Sequence, residues 1–302
     1  MSDKNMGILL ESGTNELEIV EFTIGENKFG INVIKVKEII NPVKVTKIPH
    51  SHPNVEGIIE IRGAVLPVIN IEKALGSSIS EQGLNDKFIV AEFNKIKVVF
   101  HVHSVSQIHR ISWNDIEKPS EMYQGLESLI TGVIKKEDGM VLLLDFEKIV
   151  VDINPAAGIN KDQIKKLGKR ERSDKKIMVA EDSPLLRKLI HDTLGEAGYS
   201  NLEFFENGKD AFHFLDSLAS SGNPIRQEIQ MVVTDIEMPQ MDGHHLTKRI
   251  KNDTRLSELP VVIFSSLITD DLRHKGQQVG ADGQVSKPEI GELVGLIDRL
   301  IL

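Results

Sequence analysis

Several polar residues in the last 130 or so positions stand where apolar runs stop. Glu181-Asp182 follow the run ending Ile177-Met178-Val179-Ala180, and Asp235 follows Met231-Val232-Val233-Thr234. Ser265 closes Val261-Val262-Ile263-Phe264, and Lys287 follows Gln284-Val285-Ser286. Clustered carboxylates suit a hard cation such as Mg²⁺, which takes one or two of them and completes its shell with waters and phosphate oxygens. An ammonium and a hydroxyl beside such an ion could bind the equatorial oxygens of a phosphoryl group. Asp235 is then the candidate nucleophile, and its product an acyl phosphate. Each residue alone reads first as a turn or cap residue; the constellation is the specific signal.

The elements needed to gather these groups are legible. Short strand-like segments at 175–180, 202–205, 231–235, 261–265 and 284–286 alternate with helical periodicity at 184–197, 209–219, 244–251, 272–279 and 289–301. Ser183-Pro184 reads as an N-cap followed by proline at the first helical position. Such alternation predicts a doubly wound α/β domain with a five-stranded parallel sheet covered on both faces. Ligands bind beyond the carboxyl ends of the strands in such sheets, so the polar residues converge on one rim.

Residues 175–302, with Glu181-Asp182, Asp235-Ile236-Glu237-Met238-Pro239, Asp242-Gly243, Ser265 and Lys287-Pro288, resemble a response-regulator receiver domain of the CheY type, a flavodoxin-like fold. The resemblance implies that Asp235 is the phosphoacceptor, Ser265 the switch hydroxyl and Lys287 the phosphoryl contact. It further implies a Mg²⁺ site of Glu181, Asp182, Asp235 and the backbone carbonyl of Glu237. Many receivers carry an aromatic three residues before the lysine; Gln284 stands there, so an aromatic swing is not the signal. The Glu237 side chain lies where family members vary and affect dephosphorylation.

The first half has a different texture. Strands are expected at 17–24 and 28–32 around Gly25-Glu26-Asn27, and at 58–62 and 65–69 across Gly63-Ala64. More follow at 87–93 and 95–103 around Asn94, and at 128–136 and 140–144 around Asp138-Gly139. Val33 to Ile40 reads as a short amphipathic helix ended by Pro42. Many short strands between turns predict small β-barrels. Glu38 and Arg62 stand inside apolar segments, either as an ion pair bracing a surface or as ordinary solvent-facing residues. His50/His52 and His101/His103 are weak candidates for metal ligands, and Trp113 and Tyr123 read as packing or rim anchors.

Val-Lys-Glu-Ile-Ile at 36–40 and the segment 55–71 (Val-Glu-Gly-Ile-Ile-Glu-Ile-Arg-Gly-Ala-Val-Leu-Pro-Val-Ile-Asn-Ile) resemble CheW-type chemotaxis coupling domains. That family has a pair of small five-stranded barrels bridging chemoreceptor tips and the histidine kinase CheA. Glu38 and Arg62 match positions tied there to structure and receptor signalling. A coupling domain followed by a receiver resembles the CheV type of chemotaxis adaptor. Implied partners are therefore CheA and the cytoplasmic tips of chemoreceptors, with coupling adjusted by receiver phosphorylation, plausibly in adaptation.

Composition agrees with a binding protein of this kind. At 302 residues, two domains are expected, laid out as a tail at 1–15, a coupling domain at 16–159, a linker at 160–174 and a receiver at 175–302. The formal charge of -9 disfavours nucleic-acid binding, and no cysteine is available for disulfides, zinc or thiol chemistry. The start lacks a signal-peptide pattern and no run reaches membrane-spanning length, so a cytoplasmic protein without direct membrane insertion, recruited to receptor arrays, is expected. Two other classes compete: a Mg²⁺-dependent phosphatase using the same carboxylates, disfavoured because no second Asp follows Asp235 at nucleophile-plus-acid spacing, and a response regulator with DNA-binding output, for which no basic recognition helix is present.

Overall fold

A computed structural model describes residues 15–77, 83–94, 96–117, 129–137, 139–155, 158, 171–268 and 270–302. The tail through position 14, most of the expected linker, Tyr123, Ser128 and Asp138 lie outside the described residues. Among the described residues no helix is long and apolar enough to cross a membrane.

The N-terminal half builds two sheets. β1 (Glu16–Ile24), β2 (Asn27–Asn32), β8 (Ser104–Ser112), β9 (Ile116–Glu117), β10 (Ile130–Lys136) and β11 (Gly139–Leu144) form one, in the order β8-β1-β2-β11-β10-β9. β3 (Val36–Ile40), β4 (Val55–Ile61), β5 (Ala64–Asn70), β6 (Lys87–Phe93) and β7 (Ile96–Val102) form the other, in the order β3-β6-β7-β5-β4. Alternation of side chains across each strand sends one row inward. Phe22 of β1, Phe29 of β2, Phe93 of β6 and Phe100 of β7 therefore meet in one core.

Two helices punctuate the sheets: α1 (Ile71–Ala74) and α2 (Phe146–Ile153). The second places the Phe146 ring 4.7 Å from Phe100 and 6.0 Å from Phe22, so one side chain ties both sheets together. Its apolar residues Phe146, Ile149, Val150 and Ile153 recur at helical spacing. Asp145 caps it, accepting from the Lys148 amide at 2.8 Å.

Two sequence expectations need correction here. The predicted helix at 33–40 is a single 3-10 turn, Val33–Lys35, followed by β3. Asn32 caps that turn, and from Val36 the β-branched residues pair with β6, where Lys37 and Ile39 face solvent. A three-residue turn lets Val33 and Val36 share a helical-looking spacing although the chain is extended beyond Lys35. The β4–β5 turn centres on Arg62-Gly63, both at positive φ (49° and 80°), rather than on Gly63-Ala64. Helix α2 and strand β8 were not foreseen.

In the C-terminal half, β12 (Ile177–Ala180), β13 (Leu202–Phe205), β14 (Met231–Thr234), β15 (Val261–Ser265) and β16 (Gly283–Ser286) form an all-parallel sheet in the order β13-β12-β14-β15-β16. Helices α3 (Pro184–Glu196) and α8 (Ile290–Ile301) pack on one face, against Ile177, Val179 and Val233. Helices α4 (Gly208–Ala219) and α6 (Gly243–Asn252) cover the other, against Met178, Ala180 and Val232. A single helical turn α5 (Ile225–Glu228) and α7 (Asp270–Gln278) complete the order. The order reverses between β12 and β14, so the topological switch point lies between the strands that end at Glu181-Asp182 and Asp235.

Candidate functional site

The rim at that switch point gathers the expected residues. Lys287 Nζ lies 2.8 Å from Asp235 Oδ2 and 3.1 Å from Glu181 Oε2, and all three side chains are buried. Glu181, Asp182 and Asp235 each bring a carboxylate oxygen within 4.8 Å of the others. The Ile236 amide donates to Asp235 Oδ1 at 2.6 Å, which fixes the rotamer and leaves Oδ2 toward Lys287. Ser265 is fully buried at the end of β15; its Oγ accepts from the Leu267 amide at 3.3 Å, and its carbonyl accepts from the Lys287 amide at 3.2 Å.

Local structure explains why the backbone can close around Asp235. Asp242 caps α6 by accepting from the His245 amide at 2.7 Å. At the first residue of that helix, a Cβ on Gly243 would sit 1.9 Å from the Asp235 carbonyl oxygen, so only glycine allows this approach. Arg187 of α3 donates to the carbonyls of Glu181 and Asp182 at 2.8 Å each, pinning the acidic pair, and its other nitrogen pairs with Glu206.

Electrostatics are dominated by crowding of carboxylates. Burial, and then the neighbouring Asp235, push Glu181 up to about 7 despite the opposing ammonium of Lys287. Burial followed by repulsion from Glu181 and Asp235 raises Asp182 well above the ordinary carboxylate range. Burial alone would neutralise Lys287, but Asp235, Glu181 and Glu147 together hold it protonated. Three carboxylates against one ammonium leave two uncompensated negative charges when all are ionised. That oxygen-only donor set fits a divalent hard cation.

Three sequence-selected features stand elsewhere. Glu38 and Arg62 do meet, Oε2 to Nη2 at 2.9 Å, joining β3 to the β4–β5 turn on the outside of the second sheet. The histidines do not form a metal site: His101 is held between Glu56 at 2.8 Å and Asp86 at 3.0 Å, occupying both ring nitrogens. His103 Nδ1 accepts from the Gly25 amide at 2.8 Å, and His52 Nδ1 accepts from the Asn54 amide at 3.2 Å. Gln284 donates from Nε2 to the Arg273 carbonyl at 2.8 Å and covers Gly276 of α7, a polar contact between β16 and that helix.

The sequence reading missed a set of N-terminal residues that line this same rim. The Glu237 side chain turns away from the carboxylate cluster to Lys35 Nζ at 2.5 Å and to Asn32 Nδ2, which donates at 2.7 Å. Lys35 also pairs with Glu147 of α2 at 3.3 Å, and the Ser266 hydroxyl hydrogen-bonds to that same Glu147 carboxylate. Asp145, Phe146 and Glu147 share one cavity of about 70 Å³ with Glu181, Asp182, Asp235 and Lys287. Burial and then the neighbouring Glu147 push Asp145 up to about 6. Burial opposes ionisation of Glu147, yet Lys35 and Lys287 outweigh it and hold that carboxyl below its usual range. The periodicity of α2 was readable from the sequence, but nothing local to Lys35 or Glu147 signals a partner some hundred or more positions away.

Comparison with known proteins gives a consistent placement. Residues 18–154 match the CheW-like domain model, and residues 177–298 match the response regulator receiver domain model. Chemotaxis protein CheV3 of Helicobacter pylori is 30% identical over 304 residues, covering 95% of each chain. Chemotaxis protein CheW of Thermotoga maritima is 32% identical over 152 residues, covering 50% of this chain and 98% of that protein. A crystal structure of the scaffolding protein TtCheW from Thermoanaerobacter tengcongensis covers 43% of this chain and 88% of its own at 29% identity, with a TM-score of 0.41. Since the similarity to a CheV protein runs through both halves and nearly the full length, the chain belongs to the CheV family of chemotaxis proteins.

Proposed function

We propose that this chain is a chemotaxis adaptor that couples chemoreceptor tips to the histidine kinase CheA, and that phosphorylation of Asp235 adjusts the coupling. The carrying observation is the Asp235–Lys287–Glu181 arrangement at the switch point of a receiver fused to a CheW-like domain. The domain fused to the receiver matches the CheW-like domain model, so the phosphorylation input acts on a scaffold.

In the transfer, Asp235 Oδ attacks the phosphorus of a kinase phosphohistidine. The P–N bond breaks with its electron pair returning to the imidazole, while the P–O bond to Asp235 forms an acyl phosphate. Lys287, within 2.8 Å of the acceptor oxygen, is placed to hold an equatorial phosphoryl oxygen, and the Ser265 hydroxyl at the end of β15 is the switch group. Glu181, Asp182, Asp235 and the Glu237 carbonyl would hold Mg²⁺, which supplies charge neutralisation for the incoming phosphoryl group. Hydrolysis of the acyl phosphate returns the free carboxylate and inorganic phosphate.

Glu38 and Arg62 form the coupling surface. Their ion pair is solvent-exposed on the Arg62 side, so its net contribution to stability is small and its value lies in presenting a charge pair of fixed shape. Phosphorylation can alter docking there only by as much as it favours one conformation over another. Co-sedimentation of the full chain with receptor-tip bundles and CheA tests the assignment. Arg62→Ala should lower the bound fraction severalfold while thermal unfolding stays within about 0.5 kcal/mol of wild type; a wild-type chain that binds neither partner overturns the coupling function.

A further inference from the structure

The residues that cover the phosphorylation site come from the other domain. Asp235 is 6% exposed and Lys287 4% exposed, in a cavity walled by Leu17, Trp113, Asp145, Phe146 and Glu147 of the coupling domain. Backbone and side-chain contacts seal the boundary. The Gln240 amide donates to the Trp113 carbonyl at 3.1 Å, the Asn94 amide to the Ser266 carbonyl at 3.3 Å, and the Asp242 amide to Asn15 Oδ1 at 3.1 Å. The side chain of Ile34 packs into the cluster of Ile236, Ile263, Leu267 and Leu272 on the receiver. At the centre, Lys35 bridges Glu237 of the receiver and Glu147 of its own domain.

Resting on the phosphoacceptor role of Asp235, we propose that the coupling domain is a lid over that residue, latched by Lys35 and Glu147, and that the phosphoryl group holds the lid open. Two arguments converge. The first is access: a histidine side chain of a kinase cannot line up with Asp235 while Phe146 and Glu147 form the cavity wall. The second is charge: a phosphoryl group brings roughly two negative charges into a space already containing Glu181, Asp182, Asp145 and Glu147. Glu147 takes the Ser266 hydroxyl and shares the field of Lys287, the ammonium paired with Asp235. Like-charge repulsion in this enclosed space acts on the lid, because the phosphoryl group is bonded to the receiver while α2 meets the rim only through non-covalent contacts of Glu147 with Ser266 and Lys35.

The latch also has a direct connection to the coupling surface. Lys35 is the last residue of the 3-10 turn, and β3, carrying Glu38, begins at the next residue. Pairing of β3 with β6 shifts register between Val36 and Glu38, an irregularity set between latch and ion pair. Release of Lys35 therefore frees the end of the strand that carries the coupling residue.

Hydrogen exchange of the full chain, measured with and without phosphorylation by phosphorylated kinase, tests the lid. Mass analysis of the same samples reports whether one phosphoryl group is attached. The amides of Asn94, Gln240 and Asp242 should exchange about tenfold faster or more in the phosphorylated chain, while those of Val99 and Val232 in the domain cores stay unchanged. Lys35→Met should raise exchange at these boundary amides without phosphate, by about tenfold or more, because it leaves Glu147 and Glu237 without their cation. It should also accept phosphate faster than wild type. Glu237→Ala breaks the latch from the receiver side and should act in the same direction if Lys35→Met proves unstable. Phosphate incorporated with unchanged protection at all three boundary amides overturns the lid and leaves the phosphoacceptor assignment intact. No incorporation in wild type or either variant removes that assignment and the lid with it.

Discussion

Asp235 is buried and held in one orientation by its neighbours, which suits the phosphoacceptor role proposed for it. Lys287 contributes the positive charge, the Ile236 amide fixes one oxygen, and Gly243 gives the backbone room to pass. The glycine is the most sharply determined of these positions, since a methyl group there meets a backbone oxygen that cannot rotate away. Gly243→Ala should destabilise the receiver by about 1–3 kcal/mol or more through overpacking. The receiver transition in urea should move accordingly, and transition of the coupling domain should not; a shift under about 0.5 kcal/mol would show that α6 can back away from Asp235 freely. Asp235, Ser265 and the acidic pair stood out in the sequence because each ends an apolar run, and Lys287 because Lys287-Pro288 matches the receiver pattern. Lys35 and Glu147 were not, because a side chain that matters through a contact across two domains has no local pattern.

Among the elements, α2 bears the heaviest structural demand relative to its length. Its first residue, Phe146, packs against Phe22, Phe93 and Phe100 from both sheets of the coupling domain, while the next, Glu147, faces the receiver. Core order and site closure thus depend on one helical start. Phe146→Ala should cost about 3–5 kcal/mol in the coupling domain by cavity formation. A urea titration following each domain separately is needed, since a two-domain chain need not unfold in one step; an unchanged midpoint for the coupling domain would contradict the tie between sheets. The predicted parallel sheet was readable because short strand segments alternate with helical periodicity, and its three central strands β12, β14 and β15 are buried, largely apolar runs. The first half was harder: at 33–40 the same β-branched residues satisfy a helical spacing and a strand alternation, and only pairing with β6 decides between them.

At the scale of the whole molecule, the two domains are joined across the rim that holds the proposed phosphoacceptor. Binding equilibria that share such a boundary are reciprocal. If phosphorylation opens it, then a partner that captures the open coupling domain raises the fraction of chains able to accept phosphate by the same factor. An adaptor built this way registers the occupancy of its own docking surface in its phosphorylation rate. The family, the order of domains and the acidic rim could be read from residues in sequence; the closure of one domain over the other could not, because it depends on complementarity between segments such as 32–35 and 236–240 that carry no mark of each other.

All of this rests on Asp235 being the phosphoryl acceptor. The direct measurement is transfer from ³²P-labelled CheA to the full chain with Mg²⁺ present, comparing wild type with Asp235→Asn. Label should pass to the wild-type chain and fall to background in the variant, whose fold is unchanged by circular dichroism. Undiminished transfer to Asp235→Asn would contradict the assignment.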